Sequence, residues 1–198
     1  MRKFLSLPQE KQNRIVDAAM KLFGEVGYKK AYISEIAAAS GISKALVFHY
    51  FGSKKGLYSY LVYNTGKIVM TEAQHARDTA NKDFFDRVSI TVRFRLSIKN
   101  RYPAMNTFIE SVYDEDDPEV TADIEKLKAI ATDMHSKVEI SADEAALFKE
   151  GVSPAQVTNL IEKYTDGVVN DWSNRQSIDD TMQEITQCLS MLKDNLCK

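Results

Sequence analysis

The side chains best suited to bind another molecule are concentrated between residues 32 and 55. They combine hydroxyl, phenol, ammonium and imidazole groups with small and apolar neighbours: Tyr32, Ser43, Lys44, Ala45, Leu46, Phe48, His49, Tyr50, Lys54 and Lys55. Hydrogen-bond donors and positive charge of this kind suit the phosphate oxygens and base edges of nucleic acid. His49 has no second ligand at helical spacing, so the segment does not predict a metal site.

The charge of the chain is divided unevenly along its length. The formal net charge is −2 at pH 7, but the part before Lys67 carries ten basic and four acidic side chains, a net charge of +6. The remainder carries a net charge of −8. One basic end on an otherwise acidic chain predicts a partner that is a polyanion, and nucleic acid is the usual one.

The elements that must position these side chains are two short helices joined by a tight turn. The first is predicted over 33–40 and the second begins after Ser43, which has the right chemistry for an N-cap. Between them, Gly41 can adopt a positive φ and Ile42 can fill the space between the helices. This is the pattern of a helix-turn-helix, whose second helix enters a major groove.

The residues from Ile15 to Leu57 resemble the TetR family of bacterial transcriptional regulators. The resemblance is carried by Ile15 to Gly27-Tyr28 and by the signature residues Ile36-Ala37, Gly41-Ile42-Ser43-Lys44, Phe48-His49-Tyr50-Phe51, Ser53-Lys54 and Leu57. The resemblance covers about a quarter of the chain, and the rest agrees with the family only in its length and in its pattern of successive helices. The resemblance implies a dimer that binds palindromic double-stranded operator DNA and is released by a small molecule.

The resemblance also implies a role for each matching position. Ser43 begins the recognition helix, and Lys44, Ala45 and Leu46 face the groove. Phe48, His49 and Tyr50 lie along the DNA backbone or at the groove edge, and Lys54 and Lys55 contact phosphates. Val47 and Phe51 are expected to pack inward.

Two positions depart from the family pattern. Tyr32 stands where the family usually has a threonine that caps the second helix and contacts a phosphate. A phenol can still donate a hydrogen bond to a phosphate, but it cannot cap a helix in the same way. Leu46 replaces a commoner small polar residue, which favours apolar contact with a thymine methyl. The operator sequence therefore cannot be transferred from relatives.

The whole chain is predicted to be all-α. A first helix from about Ser6 to Gly27, with Ser6 and Gln9 at capping-box spacing, completes a three-helix DNA-binding domain over 1–52. A fourth helix from Ser53 joins it to a helical effector-binding and dimerisation domain over 53–198. Further helices are predicted at 83–100, 103–114, 118–139, 143–149, 154–174 and 178–195.

The last two predicted helices are the expected dimer interface. Each carries an apolar stripe, formed by Val157, Leu160, Ile161, Tyr164, Val168, Val169 and by Ile185, Leu189, Leu192, Leu196. Such stripes are more often internal core, and the family resemblance is what favours an interface for some of them. Gly167 costs about 1 kcal/mol relative to alanine inside a helix, which close approach of another helix would justify.

An effector pocket is expected among the middle helices. The candidates are Phe94, Tyr102, Met105, Phe108, Tyr113, His135, Tyr164 and Trp172, although each alone is more often ordinary core. Their polar tips favour a mostly apolar ligand with one or two polar groups. Arg93, Arg95 or His135 could bind an anionic end of that ligand, whose identity is not predicted.

Two other functions compete with a ligand-responsive regulator. An enzyme is disfavoured because the chain contains no G-x-S-x-G, HExxH or phosphate-loop motif, and neither a cofactor nor a metal site is predicted. The acidic run Asp114–Asp117 is read as a solvated helix junction. The second alternative is a DNA-binding regulator without a small-molecule effector, whose C-terminal domain serves only dimerisation or a protein partner.

Without a bilayer-spanning segment or signal peptide, the chain is expected in the cytoplasm, with Cys188 and Cys197 reduced.

Overall fold

The computed structural model describes residues 2–77, 82–136, 138–173 and 176–198, and for 74–77, 131 and 133–136 it describes the backbone alone. Within these ranges the chain forms helices and one isolated antiparallel bridge, between Phe148 and Cys197. The helices are α1 (Arg2–Leu5), α2 (Gln9–Lys30), α3 (Ile33–Ser40), α4 (Lys44–Phe51), α5 (Lys54–Arg77), α6 (Phe84–Arg101), α7 (Pro103–Asp114), α8 (Thr121–Ser136), α9 (Ala142–Ala145), α10 (Pro154–Asp171) and α11 (Ile178–Leu196). This confirms the predicted all-α fold.

The start of the chain differs from the prediction. Ser6 does not cap the first long helix, because its hydroxyl donates to the Lys3 carbonyl oxygen and closes the separate one-turn helix α1. Pro8 occupies the N-cap of α2 without a side-chain cap. Gly27 does interrupt the helix, with φ of 77°, but helical hydrogen bonding resumes beyond it as far as Lys30.

Two later boundaries also move. Pro118 was expected at a first helical position, but residues 118–120 form a turn and α8 begins at Thr121. The helix predicted over 143–149 is the single turn α9, held by a complete capping box between Ser141 and Glu144. A capping pattern therefore predicted the start of a helix correctly where the side chain caps the helix that follows it. Proline alone did not predict where a helix begins.

The described contacts group the chain into two compact units. The first unit comprises Met1–Met70 and Tyr102–Ala131, and the second comprises Thr71–Arg101 and Thr132–Lys198. These units reflect packing, whereas the predicted division at residue 52 reflects function. The functional division stays a prediction.

In the first unit, α2 packs closely against α7. A Cβ atom added at Gly24 would lie 2.8 Å from Thr107 Cγ2 and 2.9 Å from the Thr107 carbonyl carbon. Glycine is therefore required where the two helices meet, because any larger side chain would push them apart. The same contact brings α7 against the helix that precedes the helix-turn-helix.

In the second unit, the core lies between α6, α10 and α11. Its buried members are Phe84, Phe85, Val88, Val92, Leu96, Phe148, Val157, Ile161, Val169, Trp172, Met182, Ile185 and Leu189. Most of the two apolar stripes predicted on the last helices is thus internal core. Leu160 is different, because 54% of it is exposed.

An ion pair ties α9 to α6 in the second unit. Arg87 Nη1 and Nη2 donate to Glu144 Oε1 and Oε2 at 2.8 and 2.9 Å, and the Ser141 backbone N–H also donates to this carboxylate. Mainly because of the Arg87 hydrogen bonds, the pKa of Glu144 falls from 4.5 to about 2. The ionised carboxylate is therefore favoured in the folded state.

Acid should remove this contribution to stability. Because the folded pKa lies below the unfolded one, Glu144 stabilises the fold above pH 4.5 and loses that effect as the pH falls towards 2. We expect Glu144→Gln to lower the free energy of unfolding at pH 7 by about 2 kcal/mol, with the difference from wild type shrinking below pH 4. Urea unfolding at several pH values measures both. A difference that is constant from pH 7 to pH 2.5 would contradict this assignment.

Among the described residues, no helix is both long and apolar enough to cross a membrane. Cys188 and Cys197 are both free thiols, as expected.

Candidate nucleic-acid interface

The turn between α3 and α4 has the geometry that the sequence predicted. Gly41 follows α3 in the left-handed conformation, with φ of 68° and ψ of 34°. The Ile42 backbone N–H donates to the Ala37 carbonyl oxygen at 3.0 Å, which closes the end of α3. A Cβ atom at Gly41 would meet nothing within 4 Å, so backbone conformation rather than space requires glycine here.

The N-cap of the second helix is also as predicted. The Leu46 backbone N–H donates to Ser43 Oγ at 3.2 Å, and α4 begins at Lys44. The cap holds the first turn of α4, which carries Lys44, Ala45 and Leu46, in a regular helical conformation.

The helix α4 is anchored from behind and open in front. Val47 is fully buried and Phe51 is 7% exposed, which confirms that both pack inward. The opposite face carries Ser43, Lys44, Ala45, Phe48 and His49, all of them exposed, and Leu46 is half-buried. The Lys44 ammonium lies 5.9 Å from the centroid of the Phe48 ring on this face. We name this set, Ser43 to Leu46 with Phe48 and His49, the recognition face.

Tyr50 does not belong to the recognition face. It is 7% exposed, and its ring packs against Phe4 with a centroid distance of 6.0 Å. Its predicted place at the groove edge therefore depends on the small part of the ring that remains exposed. Tyr32, in contrast, is 65% exposed at the N-cap of α3 and makes no side-chain cap hydrogen bond.

Lys54 and Lys55, which the sequence treated alike, have different environments. Lys55 is exposed. The Lys54 ammonium lies 4.6 Å from the centroid of the Tyr28 ring and donates to the Lys29 carbonyl oxygen at 3.2 Å. Burial lowers the pKa of Lys54, whereas the carboxylates of nearby Asp117, Glu119 and Glu115 act in the opposite direction.

An acidic loop between α7 and α8 holds the junction of α2 and α3. Glu115 Oε2 accepts the Tyr28 backbone N–H at 2.6 Å, and Glu119 Oε2 accepts the Tyr28 hydroxyl at 2.8 Å. Burial, followed by the bond to Glu119, raises the pKa of the Tyr28 phenol. This loop is therefore not only the solvated junction that the acidic run suggested. We name these two hydrogen bonds the Tyr28 clamp.

Sequence reasoning missed the Tyr28 clamp. Its partners lie 87 and 91 positions apart in the chain, so no helical spacing connects them. The only available signal was the concentration of acids after α7, which predicts solvent exposure as readily as contact.

The predicted effector residues fall into two sets, one in each unit. In the first unit, Met105 and Phe108 are buried, Tyr102 is half-buried, and Tyr113 is 57% exposed. In the second, Phe94 and Tyr164 are half-buried and Trp172 is 4% exposed. The side chain of His135 lies outside the described residues. A role in ligand binding stays a prediction for all eight.

The two arginines considered for an anionic ligand are already paired. Arg93 Nη1 lies 2.9 Å from Asp179 Oδ1, and Arg95 Nη1 lies 2.6 Å from Asp166 Oδ1. Over the described part of the chain, no group of three or more His, Cys, Asp or Glu side chains could hold a metal ion.

Buried polar atoms form a further set that the sequence did not identify. Tyr58 and Thr65 are 1% and 0% exposed, and within the described ranges neither hydroxyl has a hydrogen-bond partner. They are seven residues apart on α5 and therefore share one face of that helix. An unsatisfied buried hydroxyl costs about 1–3 kcal/mol, so each is a place where water or a ligand would be stabilised.

The helix-turn-helix of this chain is similar to that of known proteins. Residues 15–61 match the model of the tetR family of bacterial regulatory proteins. This segment of the chain belongs to the TetR family. The HTH-type transcriptional regulator BetI of Rhizobium meliloti (strain 1021) is 45% identical over 47 residues, which make up 24% of this chain and 23% of that protein. The match thus spans about a quarter of the length of this relative.

Solved TetR-family structures extend the likeness to the whole fold. A regulator from Chloroflexus aurantiacus J-10-FL superposes with a TM-score of 0.71 at 16% identity, covering 100% of this chain and 98% of that one. AibR in complex with isovaleryl coenzyme A and operator DNA has a TM-score of 0.65 at 18% identity, covering 90% and 97%. At these identities the likeness establishes the all-α TetR fold and nothing about the ligand of this chain.

Proposed function

We propose that this TetR-family chain is a transcriptional repressor that binds palindromic operator DNA as a dimer and is released by a small, largely apolar ligand. The observation that carries the proposal is the recognition face, which is exposed on a helix whose opposite side is anchored by Val47 and Phe51. Exposed polar side chains on a helix held this rigidly are what major-groove reading requires. The family consists of regulators rather than enzymes, and a regulator of bacterial DNA acts in the cytoplasm.

Each position on the interface has a proposed contact. Lys44 donates to a base edge, Ala45 and Leu46 make apolar contacts in the groove, and Ser43 lies at the helix start beside the DNA backbone. Phe48 and His49 lie along the groove edge, with Tyr50 behind them. Tyr32 and Lys55, both exposed, contact phosphates.

Lys54 requires a rearrangement to reach a phosphate. In the present conformation its ammonium is engaged by the Lys29 carbonyl oxygen and the Tyr28 ring. Both partners belong to the segment that the Tyr28 clamp holds. We therefore propose that Lys54 either supports the interface from behind or turns outward when DNA binds.

Dimerisation through α10 and α11 is supported by the surface of these helices. Leu160 and Met191 are 54% and 56% exposed, and Tyr164 and Cys188 are half-buried. Gly167 lies seven residues after Leu160, and a Cβ atom there would meet nothing within 4 Å. Since the protomer itself does not require glycine at this position, close approach of a partner helix is the simplest reason for it.

Two substitutions of Gly167 test the stability of the protomer and the stability of the dimer separately. Gly167→Ala should stabilise the isolated protomer by about 1 kcal/mol, because the added methyl meets open space and helix propensity improves. Gly167→Leu should shift the monomer–dimer equilibrium towards monomer by tenfold or more, while leaving helicity unchanged. Sedimentation equilibrium and circular dichroism measure these quantities. A Gly167→Leu protein that dimerises as tightly as wild type would place the interface elsewhere.

An effector site is supported by aromatic side chains beside unsatisfied polar atoms. The Phe108 ring lies 5.2 Å from the Tyr58 ring, whose hydroxyl is buried, and Met105 is buried on the same helix as Phe108. An apolar ligand with one or two polar groups would complement this combination. The AibR complex gives isovaleryl coenzyme A as one ligand to test. The alternative remains a regulator without an effector, whose C-terminal helices only dimerise or bind a protein.

The proposed release mechanism acts through α5 and the Tyr28 clamp. A ligand that prefers a conformer with α5 tilted would change the separation of the two recognition helices from the roughly 34–36 Å required by successive major grooves. The clamp would transmit movement of the loop after α7 to the junction before α3. The ligand can shift this equilibrium only by its difference in affinity for the two conformers.

Footprinting on DNA upstream of the gene and its neighbours tests the proposal. We expect a protected palindrome whose half-sites lie about one helical turn apart, with affinity that falls steeply as salt rises. Titration of the complex with isovaleryl coenzyme A, and with simpler apolar acids, then tests release. Absence of a protected site contradicts DNA regulation, whereas protection that no ligand relieves favours the alternative without an effector.

A further inference from the structure

The helix α1 is held against the recognition helix by an aromatic cluster. Phe4 is fully buried, and its ring centroid lies 4.8 Å from that of Phe51 and 5.2 Å from that of Tyr60. Phe51 and Tyr50, a third ring in contact with Phe4, belong to the last turn of α4. The start of the chain is therefore packed onto the element that carries the recognition face.

Hydrogen bonds also hold the turn that follows α1. Gln12 Nε2 donates to the carbonyl oxygens of Leu5 and Leu7 at 3.2 and 2.8 Å. The Ser6 hydroxyl donates to the Lys3 carbonyl oxygen at 2.9 Å. The turn after α1 is thus connected to α2, and Phe4 connects α1 itself to α4.

Two of the side chains of α1 are cations. Arg2 and Lys3 are exposed, and across the described ranges neither forms an ion pair. They lie within one helical turn, about 5.4 Å of rise, of Phe4. The alternative is that Arg2 and Lys3 are only solvated, in which case the burial of Phe4 against α4 contributes to packing and has no role in binding.

We infer that Arg2 and Lys3 bind phosphates of the same DNA duplex that the recognition face reads, and that Phe4 is the positioning residue that holds them there. The helix α1 is then a second, sequence-independent part of the DNA interface. Long flexible cations at the margin of a groove-binding helix suit phosphates better than base edges, because phosphate contacts do not require a fixed side-chain direction. This inference rests on the proposed function.

The salt dependence of operator binding tests it. Each phosphate contact contributes about 0.9 to the slope of log Kobs against log salt. With two cations in each of two protomers, the variant Arg2→Gln/Lys3→Gln should have a slope smaller in magnitude by about 3 to 4 than wild type, with operator preference unchanged. The matched control Lys82→Gln/Lys126→Gln removes the same charge from exposed positions just before α6 and on α8, and should change the slope by less than about 1.

A second variant tests the role of Phe4. Phe4→Ala should reduce the slope as the double variant does, and adding Arg2→Gln/Lys3→Gln to it should change the slope no further. Equal slopes for wild type and Arg2→Gln/Lys3→Gln would overturn the inference, whether or not Phe4→Ala folds. A wild-type protein without a protected operator would instead overturn the proposed function, so the two failures are distinguishable.

Discussion

Replacement of Lys44 by alanine should weaken operator binding by roughly thirtyfold to twenty-thousandfold. Lys44 is exposed at the first position of α4, on the recognition face. A well-placed contact to a base edge contributes about 1–3 kcal/mol, and a symmetric dimer loses two of them. A fluorescence anisotropy titration with the footprinted operator measures the change. The loss should be much smaller on nonspecific DNA, since only base contacts distinguish the two.

The Lys44 variant should remain folded. Its side chain contacts only the Phe48 ring at 5.9 Å among the interactions described for it, so the thermal midpoint should change by less than about 2 °C. Lys126→Ala, which removes an exposed charge from α8, is the matched control and should bind as wild type. If Lys44→Ala and Lys126→Ala bind the operator equally well, the recognition face is not where the sequence of the DNA is read.

Among replacements of a glycine by alanine in the first unit, Gly56→Ala should lower the stability of the protein most. A Cβ atom at Gly56 would overlap the Phe51 carbonyl oxygen, which is backbone at the end of the recognition helix. Neither backbone can move without displacing the junction of α4 and α5. We expect a net loss of about 2–3 kcal/mol of stability, which lowers the thermal midpoint by roughly 5–10 °C, and operator binding at least tenfold weaker because α4 is displaced.

Gly167→Ala provides the control for this substitution. It adds the same methyl group to a helical glycine, but into open space. If replacing any helical glycine by alanine lowered the stability of this protein, both variants would be less stable than wild type. Differential scanning calorimetry should instead show opposite signs, with Gly56→Ala less stable and Gly167→Ala at least as stable as wild type when both are monomeric. A Gly56→Ala protein with wild-type stability and affinity would mean that the α4–α5 junction accommodates a side chain.

The Tyr28 clamp and the position of Lys54 support the proposed release mechanism. Glu115, Glu119 and Lys54 all act on one short segment just before α3, so movement of the loop after α7 changes the surroundings of a lysine predicted to contact phosphate. A regulator needs such a connection, because binding at one site changes another only through an element that both affect.

Local chemistry allowed the sequence alone to predict the helix-turn-helix. Ser43 caps α4 and Gly41 takes the left-handed conformation because each depends on neighbours within a few positions. Val47 and Phe51 share one face of α4 because they are four residues apart. The same holds for the all-α class and for most helix boundaries, which follow from 3.6-residue periodicity and capping. The resemblance to the TetR family used those same residues, and the family match covers the same segment.

Contacts between distant parts of the chain were decided only by the tertiary structure. Periodicity identified the apolar stripes of α10 and α11, but it could not say that Ile161 and Ile185 face the internal core while Leu160 remains exposed. It treated Lys54 and Lys55 as equivalent, although Tyr28 engages only one of them. No helical spacing connects Phe4 with Phe51, and the burial of Phe4 there depends on packing across 47 positions of sequence. Spacing along a helix reports which side chains share a face, whereas the partner of that face is chosen by the whole fold.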